Sequence, residues 1–265
     1  MPSDTKGLRN RIKSVNSTLH LTKAMGLVAS SKIRRANEAM FKSRQYAESF
    51  EAVINHLASS KDCSQSPFLR ENGDRTKLII IAGDRGLAGG YNANIFRLAK
   101  EMDAQFIPIG KRACDRFSDT TVSSEYFSTK NAYEMASKLC EEFLNGEYDK
   151  LGIICTDYVS IMTQNPTVRW VLPLSKKEEA TSLGTVFEPD EITILNTAVV
   201  EYVAGCIMWA VRESFACEVA ARRMAMDSAG KNAQQMIDEL QLEYNRARQG
   251  AITQEITEIV AGSGS

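Results

Sequence analysis

Stepping alternately by four and three residues from Leu8, the chain meets Leu8, Ile12, Val15, Leu19, Thr22, Gly26, Ala29, Ile33, Ala36, Met40, Ser43, Ala47, Phe50, Ile54 and Leu57. Only Thr22, Gly26 and Ser43 interrupt the apolar series. A period of 3.5 held over seven heptads predicts a left-handed coiled coil, because that spacing keeps one seam turned toward a partner helix. No proline stands between Ser3 and Ser66, and Gly7 and Gly26 are the only glycines there, so a single long helix is expected over residues 1–59. An ordinary amphipathic bundle helix is the alternative, but such helices average only about 11 to 12 residues.

The other end has the same character. After Pro189 there is no proline, and from Ile192 to Ala261 only Gly205, Gly230 and Gly250 interrupt a helix-forming composition. Met226, Ala229, Ala233, Met236, Leu240, Tyr244, Ala247 and Ala251 run at steps of three and four, and Ile252, Ile256 and Ile259 continue the stripe. A second helix is expected over 192–261. At about 1.5 Å per residue the two would reach roughly 80 and 100 Å, too long to hide their stripes in a compact core. They are expected to project and to pair antiparallel.

Between them, over 76–190, short β-branched runs alternate with helical stretches, an α/β pattern. Leu78–Ala82, Phe106–Ile109, Leu151–Cys155 and Val168–Leu172 read as strands, and Ile95–Met102 and Ala132–Leu144 as helices. Linkers are placed near Ser59–Thr76 and Lys176–Pro189, and the terminal GSGS reads as a frayed, low-complexity end. The expected fold class is α/β: a long antiparallel coiled coil of N- and C-terminal helices plus a Rossmann-like domain.

Composition narrows the chemistry. The net charge of -1 conceals a split: residues 1–60 hold ten Lys or Arg against four Asp or Glu, and the remainder holds 22 against 29. The basic stretch from Lys23 to Lys42 lacks interleaved aromatics, and an acidic remainder repels phosphates, so no nucleic-acid partner is expected. Two histidines, His20 and His56, both in the first helix, leave little material for His-dependent catalysis or a multi-His metal site. The six cysteines form no C-x-x-C pair, and zinc and disulfides are not expected. Cys206 and Cys217 lie about 16 Å apart along one helix and read as buried small hydrophobes. The apolar stretch Val199–Val211 contains Glu201 and is shorter than the roughly 20 residues of a membrane span.

The loop AGDRGLAGGYN, Ala82–Asn92, follows a strand and opens a helix, the setting of phosphate-binding loops. Its glycines, at 83, 86, 89 and 90, fit neither G-x-G-x-x-G nor the P-loop pattern, and no Lys-Ser or Lys-Thr pair follows. The reading is a structural strand-to-helix turn with no nucleotide and no other cofactor, Asp84 and Arg85 being available for loop hydrogen bonds or a protein contact.

Three stretches taken together resemble the gamma subunits of F-type ATP synthases: LRNRIKSVNSTLHLTKAMGLVASSKIRRA (Leu8–Ala36), GDRGLAGGYN (Gly83–Asn92) and LQLEYNRARQGAITQEITEIVAG (Leu240–Gly262). Residues from about Ala104 to Leu195 match in architecture only. Ala88 departs from the cysteine usual in that family's loop, which favours the turn reading over thiol chemistry. The closely spaced cysteines of the chloroplast form are missing, and a bacterial enzyme is implied.

The resemblance implies a non-catalytic central rotor shaft, enclosed by three alpha and three beta subunits and seated with epsilon on the membrane c-ring. It implies a peripheral place at the cytoplasmic face of the bacterial cell membrane, with nucleotide chemistry left to the ring subunits. Lys23, Met25 and Arg222 match the shaft positions that meet the mobile levers of the beta subunits. Arg248 and Gln249 match polar contacts higher on the shaft, with Thr253, Gln254 and Glu255 beside them, and Ile252–Val260 match the tip in its apolar sleeve. Tyr202 matches the base near the c-ring. The rival readings are an α/β enzyme with oligomerising helices and a coiled-coil adaptor.

Overall fold

The computed structural model of the chain describes residues 2–70, 73–175 and 187–262. Helix α1 spans Pro2–Ser59 and helix α5 spans Glu191–Gly262. The start of α5 is fixed by Asp190, whose carboxylate accepts the Thr193 N–H at 2.8 Å and the Thr193 hydroxyl at 2.9 Å, a side-chain cap on otherwise orphaned donors. All fifteen positions of the series from Leu8 to Leu57 are buried or half-buried, so the 3.5 spacing does mark the inward seam of α1. The chain divides by its contacts into two compact units, Met1–Ser30 with Arg222–Ser265, and Ser31–Ala221.

In the first unit, α1 and α5 lie side by side and antiparallel. A Cβ built on Gly26 would stand 3.7 Å from the Met226 Cβ, and one built on Gly230 would meet Thr22 and Leu19, while Leu19, Ala233 and Ile237 form a small core with Val15. The seam of α5 is therefore Met226, Gly230, Ala233, Ile237, Leu240, Tyr244, Ala247 and Ala251. Met236, expected on the stripe, is instead 42% exposed, and Ile237 is 3% exposed. The correction is one of phase: alternation from Met226 that takes the step of four first lands on 230, 233 and 237, whereas the expected series takes the step of three first and lands on 229 and 236.

The second unit is built on a four-stranded sheet of order β2-β1-β3-β4, with β1 Thr76–Ile81, β2 Gln105–Ile109, β3 Lys150–Tyr158 and β4 Gln164–Leu172. β1 runs parallel to both β2 and β3, and β4 closes the edge antiparallel to β3. β3 is buried continuously from Leu151 to Thr156, as a strand covered on both faces must be. Both strands of the β3–β4 hairpin outrun their apolar cores, pairing out to Tyr158 and Gln164. The polar residues and Pro166 that mask this extension are tolerated because β4 is an edge strand.

Three helices connect the strands: α2 Tyr91–Lys100, α3 Lys111–Phe117 and α4 Thr129–Leu144. α2 and α4 begin earlier than their apolar pattern. Ser128 and Asn131 form a reciprocal capping box ahead of α4, which supplies the start signal. α3, with few apolar positions, was not expected. The remaining parts of α1 and α5 pack on this unit, Ile54, Leu57, Leu195, Val199, Val203 and Ile207 joining the core on one sheet face. Because α5 continues through this apolar stretch, it is long and apolar enough to cross a membrane by length and composition alone. Burial of Val199, Val203, Ile207, Ala210 and Val211 accounts for that apolarity as core packing. Of the expected linker Lys176–Pro189, residues 176–186 lie outside the described residues, as do the final residues 263–265.

Candidate functional site

In a doubly wound sheet, ligands enter the crevice beyond the carboxyl ends of the strands, where the chain switches direction from the first strand. Here that place lies beside the loop Ala82–Gly90, between β1 and β3, and α5 fills it. Tyr91 donates its hydroxyl to the Ser214 carbonyl at 2.9 Å, and the Thr156 N–H donates to the Ser214 hydroxyl at 3.2 Å. A Cβ on Gly83 would stand 2.6 Å from the Glu218 carboxyl carbon, so the end of that side chain would have to shift to admit one. Glu213 and Glu218 are both buried, and the Glu218 carboxylate lies against Gly83, where a phosphate would have to enter. Burial, reinforced by Glu218, raises the Tyr91 hydroxyl well above the ordinary phenol range.

The loop itself is a tied turn. Asp84 accepts the N–H groups of Lys111, Ser124 and Glu125 and the Ser123 hydroxyl. Burial works against its ionisation, but the Ser123 hydroxyl and these N–H groups outweigh it and hold the carboxyl below its ordinary value. Ala88 is buried against the core on that side of the sheet, as a structural turn requires. Leu87, left-handed at φ 60°, is exposed at the loop's tip. The cysteines are free, and all but the half-buried Cys206 are buried. Burial pushes Cys140, Cys155 and Cys206 up to about 12 and Cys63 to about 11, which removes thiolate reactivity near neutral pH. Among the described residues no group of three His, Cys, Asp or Glu could hold a metal.

A polar cluster that sequence reasoning missed centres on Glu213. Its carboxylate accepts Arg44 of α1 at 2.5 Å, Arg169 of β4 at 2.6 Å and the Tyr158 N–H at the end of β3 at 3.0 Å. Arg169 also pairs with Asp157 and lies 4.0 Å over the Trp209 ring, a cation–π contact. The one available signal was an acidic residue just past the apolar stretch Val199–Val211; its partners are 169 and 44 positions away, and spacing says nothing at that range.

On the helix pair, Lys23 lines a groove of about 480 Å³ with Leu27, Arg223, Asp227 and Lys231, where Gly26 and Gly230 thin both helices. Arg223 donates to the Ser30 hydroxyl at 2.5 Å, and Lys231 pairs with Asp227 at 2.9 Å. Met25 and Arg222 are half-buried and stand outside this groove; the cations that join Lys23 there are Arg223 and Lys231. Arg248, Gln249, Thr253, Gln254 and Glu255 are all exposed near the end of α5. The antiparallel register sets the start of α1 opposite Gly250, and from Ile252 onward every described residue of α5 is exposed. Ile252, Ile256 and Ile259 are 47%, 55% and 70% exposed, an apolar stripe on a helix that has outrun its partner. Tyr202 packs against the core of the sheet unit.

A sheet whose ligand crevice is filled by its own chain, together with a heptad-paired helix ending in an uncovered apolar tip, defines a mechanical or assembly subunit rather than a nucleotide enzyme. The ATP synthase family model matches residues 4–265, and the ATP synthase gamma chain of Ruminococcus albus is 37% identical over 98% of each chain. The chain belongs to the ATP synthase family, among its gamma chains. Its fold is also that of the rotor of Euglena gracilis mitochondrial ATP synthase, with a TM-score of 0.70 at 19% identity over 95% of this chain and 100% of that one. The Tetrahymena thermophila central stalk and c-ring structure gives 0.62 at 18% identity over 79% and 99%.

Proposed function

We propose that the chain is the central rotor shaft of an F-type ATP synthase, turning ion flow through the membrane c-ring into ATP synthesis at a ring of three alpha and three beta subunits. The observation that carries the reading is the helix pair with its uncovered end: exposed Ile252, Ile256 and Ile259 on a single helix need an apolar sleeve from partners. In this reading the parts are residues 1–59 and 192–261 as the shaft helices and 76–190 as the domain seated with epsilon on the c-ring. The place is the cytoplasmic face of a bacterial cell membrane, peripheral and held there by the complex.

One asymmetric shaft inside a threefold ring meets each beta subunit differently, so its angle biases which conformation each site adopts. A near-complete switch requires differential contact energy on the order of 5 kcal/mol. Lys23, Met25 and Arg222 are assigned to contacts with the mobile levers of the beta subunits, Arg248, Gln249, Thr253, Gln254 and Glu255 to polar contacts higher on the shaft, and Tyr202 to the base. The filled crevice beside Gly83 disfavours the enzyme reading. Native mass spectrometry of the complex purified through this subunit is the test: one copy per three alpha–beta pairs is expected, and any other stoichiometry overturns the rotor reading in favour of an adaptor.

A further inference from the structure

We propose that the buried cluster of Glu213, Arg44, Arg169 and Trp209 is a rotational lock, a set of positioning residues that fixes the angle of α5 about its own axis so that torque is not lost as slip. The apolar contacts of α5 with the sheet are non-directional and resist separation of the helix more than its rotation. The bonds to Glu213 are directional. A single carboxylate is held by donors from three different elements, Arg44 on α1, Arg169 on β4 and the Tyr158 N–H ending β3, while Trp209, one turn earlier on α5, stacks under the Arg169 guanidinium. With the carboxylate about 5 Å from the helix axis, a rotation of about 20° displaces it by about 2 Å, enough to break all three bonds. The neighbouring Ser214 adds bonds from Tyr91 and Thr156.

A purely stabilising role fits the cluster poorly. Buried ion pairs are matched or exceeded in stability by apolar residues of similar volume, and their best-attested use is to fix register.

The inference rests on the rotor reading, and one experiment separates the two. ATP hydrolysis and the steady ion gradient are measured together in inverted membrane vesicles carrying the whole complex, with Glu213→Gln, which keeps volume and an acceptor, and Arg169→Lys, which keeps charge but loses the fork. The expected result is hydrolysis at the parent rate with loss of the steady gradient, because slip grows with opposing torque, while initial pumping at zero gradient is nearly intact; Arg169→Lys loses less. Parent gradients per assembled complex in both variants, or a loss that only follows reduced assembly, would overturn the lock. Should Glu213→Gln fail to assemble, the load dependence of Arg169→Lys decides by the same criterion. Parent vesicles that hydrolyse ATP without pumping would instead overturn the rotor reading.

Discussion

Gly110 stands at φ +97°, and a Cβ built there would lie 1.8 Å from the Ala82 carbonyl oxygen. That oxygen belongs to the backbone leaving β1 and cannot swing aside as a side-chain end could. Gly110→Ala is expected to cost at least about 3 kcal/mol, combining left-handed strain with a backbone clash, read as a large fall in the thermal unfolding midpoint. Asp84 gives a pH-dependent case. Its folded-state pKa lies below the unfolded value, so its stabilisation is full above about pH 4 and is lost as pH falls through the folded value. Asp84→Asn should therefore destabilise by about 1 to 3 kcal/mol at neutral pH, and the gap from the parent should close below about pH 4 in acid-unfolding curves; a gap constant down to pH 2 would contradict the assignment. Asp84 was legible as a loop residue because it follows a strand in a glycine-rich turn. Glu213 was not legible as an ionic centre, since Arg44 and Arg169 reach it only through the fold.

For whole elements, periodicity carried α1 and most of α5, and it failed by one residue where Ala and Met make the stripe faint. Met236 and Ile237 are adjacent, similar in size and opposite in environment. Ile237→Ala should cost about 2 to 4 kcal/mol and Met236→Ala under about 0.5 kcal/mol, compared by thermal unfolding. The reverse order would restore the stripe through Met236 and break the register that sets Gly230 against Thr22. Strand cores were legible from β-branched runs, but strand ends were not, because pairing with a neighbour extends β3 and β4 through Thr156, Asp157, Asn165 and Pro166. α3 escaped notice because seven residues with so few apolar positions carry no measurable period.

For the whole molecule, the proposed contact zones assign assembly and coupling to different stretches of the helix pair. Removing Ala251–Ser265 takes away one half-buried seam position, Ala251, and a stretch whose described residues are all exposed, so the sheet unit and the paired helices should remain folded. Assembly should weaken, because Ile252, Ile256 and Ile259 lose burial worth about 1.5 to 3 kcal/mol each in a complete sleeve. Torque should suffer less, since the proposed lever contacts lie lower, around Met25 and Arg222. A charge reversal at Arg222, or Met25→Lys, should do the opposite, leaving the complex assembled while ATP hydrolysis no longer drives ion pumping. Placing a new cation at Met25 adds to the charge of Lys23 nearby, and a contact that must form and release on every turn is slowed when it binds too strongly or is repelled. Pumping measured against hydrolysis in membrane vesicles, with the amount of assembled complex as the reference, distinguishes the two classes. Tip removal that spared assembly but abolished coupling, with normal pumping in the Met25 and Arg222 variants, would invert this assignment of contact zones.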